Sequence, residues 1–122
     1  RHPDLEAVLH WIHANPASEA SLDEIAAAVG LSVRTIQRLF RQHADTTCQA
    51  YRESLRMRQA AAQLRMNFRV AETARRVGMP DAARFCRRFR HHFGCSPKQY
   101  QQAHPLQRIT TPEAWEQEAV QT

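Results

Sequence analysis

Residues 21–40 read SLDEIAAAVGLSVRTIQRLF, and residues 70–89 read VAETARRVGMPDAARFCRRF. In the first stretch Leu22, Ile25, Ala26 and Val29 fall at i, i+3, i+4 and i+7, one apolar side of a short helix. Ser21 precedes it as an N-cap, and Glu24 three residues later completes a capping box. Gly30 stops this helix and Ser32 caps the next, whose apolar side is Ile36, Leu39 and Phe40 and which ends near His43. Two short helices meeting at a tight turn with one glycine have the spacing of a helix-turn-helix. The reversal calls for a positive φ, which costs a residue with a Cβ more than it costs glycine.

The second stretch repeats the first. Val70, Thr73, Ala74 and Val77 follow at an offset of 48, and Gly78-Met79 repeats Gly30-Leu31. One extra residue enters at Pro80-Asp81, and from there the offset is 49. Phe85 then matches Ile36, Phe89 matches Phe40 and Tyr100 matches Tyr51, with Asp81 capping in place of Ser32. Gly94 ends the second copy's last helix where the first copy has Asp45, a residue that also tolerates left-handed angles. Two copies make a duplicated unit, not a repeat array.

Working outward, Leu5, Val8, Leu9 and Ile12 predict a first helix from about Asp4 to Ala14, closed by Asn15-Pro16. Between the copies, Thr47 to Met66 reads as one continuous helix whose buried side is Ala50, Tyr51, Leu55, Met57, Ala60, Ala61 and Leu64. At ~1.5 Å per residue such a rod is about 30 Å long, close to the roughly 34–36 Å between half-sites one DNA turn apart. Nothing alternates like a strand for long. The expectation is an all-α chain of about seven helices. Subdomain one (about 4–46) and subdomain two (about 68–102) each hold a helix-turn-helix, and the linking helix (about 47–66) joins them into one module over residues 1–102. An acidic tail, 103–122, follows, in which Thr111 and Pro112 would open a short helix over Glu113–Ala119.

Charge points to the partner. The 122 residues carry a net +5, with sixteen Arg to the single Lys98. That total divides into −4 over residues 1–30, +11 over 31–100 and −2 over 101–122. The cationic block coincides with the duplicated unit and attracts a polyanion. Arginine adds geometry, since its fork pairs with guanine where lysine is a point charge. Cys48, Cys86 and Cys95 form no CxxC pair, which fits reduced thiols in a cytoplasm. No apolar run approaches ~20 residues, so no membrane partner is expected.

A GxSxG elbow and a phosphate-binding glycine loop are absent from the sequence, so it does not read as an enzyme. His10 and His13 share a helix side and His91 adjoins His92, but no cysteine or acid joins them at ligand spacing. Neither metal nor cofactor is expected. The chain starts at Arg1 with no signal-peptide pattern ahead of it, and so reads as part of something longer.

With Ile36 facing inward, ~100° per residue turns Arg34, Arg38 and Arg41 outward, with Thr35 and Gln37 on their flanks. Anchoring the second copy on Phe85 and Phe89 turns Ala83, Arg87 and Arg90 outward, with Arg84 beside them. Arg38 and Arg87 are equivalent under the repeat. Arg pairs bidentately with guanine O6 and N7, and Gln with adenine. Arg34, Gln37, Arg38 and Arg87 are therefore the candidate base readers, with Thr35 and Ala83 on the same faces. Arg41, Arg84, Arg88 and Arg90, with Ser32, lie where phosphates of double-stranded DNA would pass, to position without specifying.

The stretches Gly30-Leu31-Ser32…Leu39-Phe40 and Phe89…Phe93-Gly94-Cys95-Ser96-Pro97…Tyr100 resemble the AraC/XylS family of bacterial transcription regulators, over about residues 4–102. The resemblance implies seven helices with two helix-turn-helix subdomains. It implies transcription regulation, usually activation, with base contacts at Arg34, Gln37, Arg38, Arg84 and Arg87. It further implies RNA polymerase as a partner, a separate effector-binding or dimerisation domain, and a cytoplasmic, nucleoid-associated location. Asp45 and Cys48 stand where the family usually has glycine and proline, and Ala82-Ala83 give the second recognition helix a weakly polar start. The alternatives are a DNA-targeting module of a larger enzyme, such as an alkyl-transfer repair protein, and a protein-interaction module. The aromatic residues Trp11, Phe40, Tyr51, Phe85, Phe89, Phe93 and Tyr100 read as core, not as stacking platforms for single strands.

Overall fold

A computed structural model describes residues 2–105, which form seven α-helices and no strand. They are α1 (Pro3–Ala14), α2 (Leu22–Val29), α3 (Val33–Ala44), α4 (Cys48–Arg65), α5 (Val70–Arg76), α6 (Ala82–Phe93) and α7 (Pro97–Ala103). The expected tail helix over Glu113–Ala119 lies outside the described residues.

Local chemistry sets most of the boundaries. His2 caps α1 through its ring, and Pro3 sits in the first turn, where a missing N–H costs nothing. Ser21 and Glu24 complete the capping box of α2. Ser32, Thr47 and Asp81 each accept the N–H of the residue three positions on, and Ser96 with Gln99 forms a second capping box. Only α5 starts without a side-chain cap, at Arg69. Asp45 does close α3 in the left-handed region, at φ 51°, as Gly94 closes α6 at φ 75°.

The copies correspond element by element. Helices α3 and α6 both have twelve residues and begin at the same point of the repeat. Each unit has its own core. Leu5, Val8, Ile12, Ile25, Ile36, Leu39, Phe40, Cys48 and Leu55 fill the first; Met57, Ala60, Ala61, Leu64, Ala74, Val77, Met79, Phe85 and Phe89 are among those filling the second. Helix α4 belongs to both. Its first turns close the first core with Cys48 and Leu55, and its later turns open the second with Met57, Ala60, Ala61 and Leu64. Those last four have the spacing of Leu5, Val8, Leu9 and Ile12, so the later half of α4 does for the second unit what α1 does for the first. Buried apolar surface is worth ~25 cal/mol per Å², and dividing it into two cores leaves each unit small.

Two positions and one helix length differ from the periodic reading. Ala50, expected on the buried side of α4, is exposed, because the units diverge from α4 there and leave it facing a hollow. Phe93, expected in the core, is 37% exposed at the end of α6, with its ring 4.6 Å from Phe89 and 5.4 Å from Tyr100. Helix α4 has 18 residues, not twenty, which makes it about 27 Å long.

Candidate nucleic-acid interface

In α3, Arg34, Gln37, Arg38 and Arg41 are exposed, while Ile36, Leu39 and Phe40 are buried. Among the described residues none of these three arginine side chains has a hydrogen-bond or ion-pair partner, and the same holds for Arg84, Arg87 and Arg90 of α6. Phe85 and Phe89 are fully buried and set the direction of that second set. Ala83 is exposed at the start of α6.

The hydroxyls at the start of α3 are occupied by one another. Ser32 Oγ accepts the Thr35 N–H at 3.1 Å and donates to Thr35 Oγ1 at 2.8 Å. What Ser32 offers an incoming phosphate is the N-terminal end of α3, where the helix dipole favours negative charge.

A groove of about 580 Å³ runs between α3 and the start of α4, lined by Arg34, Gln37, Arg38 and Arg41 on one wall and Thr47 and Gln49 on the other. A second hollow of about 360 Å³ lies on the other side of α4, between Gln49, Ala50 and Glu53 and the α6 residues Arg84 and Arg88. Gln49 borders both. The start of α4 thus stands between the two recognition helices, a placement that periodicity within either helix could not reveal.

Arg88 differs from the free phosphate contact that its sequence context suggests. Its Nε and Nη2 each donate to the Glu53 carboxylate at 2.7 Å, a bidentate pair, and His92 Nε2 lies 3.0 Å from the same carboxylate. The hydrogen bond from Arg88, aided by His92, holds the Glu53 carboxyl down at about 2. Glu53 in turn pushes the Arg88 guanidinium further above its usual range. The signal for Glu53 was present in the sequence, as one of four acids inside the +11 block.

The remaining polar constellations are structural. His13 Nε2 lies 2.6 Å from the Tyr51 hydroxyl, joining α1 to α4. Among the described residues no group of three His, Cys, Asp or Glu side chains is placed to hold a metal ion. Burial pushes the Cys48 thiol up, although Arg52 pulls the other way. No described helix is long and apolar enough to cross a membrane.

A family profile described as "Helix-turn-helix domain" matches residues 25–103. The chain belongs to the AraC/XylS family. It is 33% identical over 94 residues to the HTH-type transcriptional regulator RipA of Corynebacterium glutamicum, covering 77% of this chain and 28% of that one. It is likewise 33% identical over 99 residues to the HTH-type transcriptional activator RhaS of Enterobacter sp., covering 80% and 36%. Among solved structures, the DNA-binding domain of the global transcriptional factor AdpA, in complex with a target DNA, aligns with a TM-score of 0.77 at 26% identity, covering 84% of this chain and 93% of that one. The chain spans about a third of the length of the curated relatives it matches. As a family member, it carries the helix-turn-helix pair in the family's DNA-binding fold.

Proposed function

We propose that this chain binds double-stranded DNA sequence-specifically and regulates transcription, by activation, with α3 and α6 entering successive major grooves. The observation that carries this reading is the matched pair of partner-free arginine sets, centred on Arg38 and Arg87 at one position of the repeat. Arg34, Thr35, Gln37, Arg38, Ala83, Arg84 and Arg87 face base edges, and Arg41, Arg90 and the α3 N-terminus at Ser32 meet phosphates. Arg88 enters this scheme through its grip on Glu53. Likeness to an activator and to a domain solved on its target DNA supports the reading. A separate effector-binding or dimerisation domain, contact with RNA polymerase and a cytoplasmic, nucleoid-associated site of action complete it.

Selection from a random duplex library with the purified chain tests this directly. The expected outcome is two short motifs about one turn apart. Arg38→Ala and Arg87→Ala should each cost about 1–3 kcal/mol and relax base preference at one motif only. Uniform loss on every sequence would make these arginines phosphate contacts and overturn specific reading.

A further inference from the structure

Two sets of contacts tie the helix-turn-helix units together, and both start from one turn of α4. Glu53 reaches α6, where its carboxylate takes both Arg88 donors and sits beside His92. Its neighbours reach the other way. Arg52 donates to the carbonyls of Ala20 at 2.8 Å and Ser18 at 2.9 Å, and Arg56 donates to that of Pro16 at 3.1 Å and also to Ser18. These bonds hold the loop between α1 and α2 against α4.

That loop is itself in contact with the second unit. A Cβ on Gly78 would lie 2.5 Å from the Ala17 carbonyl oxygen, so the turn of the second helix-turn-helix backs directly onto the loop of the first. The second unit is therefore fixed at two separate points, α6 at Glu53 and the turn before it at Ala17. A bidentate guanidinium–carboxylate pair constrains orientation as well as distance.

We infer that Glu53 is a positioning residue: by gripping Arg88 and His92 it fixes α6 relative to α3, and so sets the half-site spacing that the chain accepts. This rests on the reading of the chain as a two-motif DNA binder. Glu53 touches no base. Its effect comes through geometry, because two linked readers gain from each other only when both can engage at once. Without this pair α6 would be held by its core residues Phe85 and Phe89 and by the turn at Gly78, with more latitude in the spacing it presents.

The probes are the duplex selected by the wild-type chain, the same duplex with one base pair inserted between its motifs, and a duplex holding only the motif read by α3. The wild type should bind the inserted duplex about tenfold or more weakly than the selected one. Glu53→Gln should shrink that ratio to about twofold, while affinity for the α3 motif alone changes by less than about twofold. Arg88→Gln should lose the same discrimination. The charge-reversed pair Glu53→Arg with Arg88→Glu should recover it, which mere damage to the fold would not allow. Wild-type discrimination that persists in Glu53→Gln, or an equal loss on all three duplexes, overturns the positioning role alone. Selection of a single motif by the wild type overturns the two-motif reading beneath it.

Discussion

The two helix-turn-helix units follow one backbone plan and differ where they touch each other. The residue equivalent to Leu39, which is buried in the first core, is Arg88 in the second, and it reaches out to Glu53. The equivalent of Ile25, fully buried, is Thr73, also fully buried, whose hydroxyl has no hydrogen-bond partner. Gly30 turns in open space, whereas Gly78 is backed against Ala17. The first unit thus leaves the outward arginines of α3 free of partners among the described residues, although it too closes its core with Cys48 and Leu55 of α4. The second depends on the first and on α4 for its placement. Equivalent positions diverge because the duplicated units meet through unlike surfaces, so each copy's environment includes the other.

The two turns give the largest effect by which to break that contrast. Gly30→Ala should cost about 1–2 kcal/mol, from the left-handed backbone alone. Gly78→Ala should cost a further ~1–3 kcal/mol, because backbone must move away from the new Cβ. Equal losses in urea denaturation would show that the loop yields freely and that the units are not in firm contact.

Next come the paired core positions. Thr73→Val should stabilise by about 1–2 kcal/mol, since it removes a buried hydroxyl without a partner at nearly constant shape. Ile25→Val should destabilise by about 0.5–1.5 kcal/mol, having no such penalty to relieve. Opposite signs in thermal melts would sharpen the contrast between the cores, and a loss at Thr73 would remove it.

A smaller effect is expected at the ends of the recognition helices. Asp45→Gly should stabilise by about 0.5–1 kcal/mol, bringing the α3 terminus to the condition of Gly94. A drop in melting temperature would mean that the Asp45 side chain contributes more than its backbone angle costs.

The smallest is the pH dependence of the Glu53 pair. The folded carboxyl is held at about 2, below its ordinary 4.5, so its contribution is present above that ordinary value and is lost as pH falls toward 2. Glu53→Gln has nothing to lose in this window. Its melting temperature should fall less between pH 5 and pH 2 than that of the wild type, and parallel curves would show that the pair adds no stability.

What was legible in the sequence was local. Five of the seven helix starts have hydroxyl or carboxylate caps within three residues, α1 and α5 being the exceptions, and the duplication followed from spacing alone. The outward direction of the arginines followed from Ile36, Phe40, Phe85 and Phe89, which are buried. What was not legible depends on how the units are mounted. The Glu53–Arg88 pair spans 35 residues of sequence; the repeat puts Arg88 at the inward place of Leu39, apart from Arg87 and Arg90, but does not name its partner. The exposure of Ala50 has the same cause, since a helix shared by two cores changes its buried side partway along. Gly78 was readable as a turn residue, but not as the place where another backbone approaches.

That shared helix has a consequence for how the chain can change. From Leu55, the last contribution of α4 to the first core, to Met57, the first to the second, is a single step of two residues. Inserting one residue there would advance the second unit by ~1.5 Å and swing it by ~100° about the helix axis. A deletion would swing it the other way. In either case both cores would remain intact and both recognition helices would fold, yet they would no longer point to one side. Substitutions along the exposed face of α4 carry no such penalty. The length of this helix is therefore constrained more tightly than its composition, although none of the residues proposed to read bases lies at that junction.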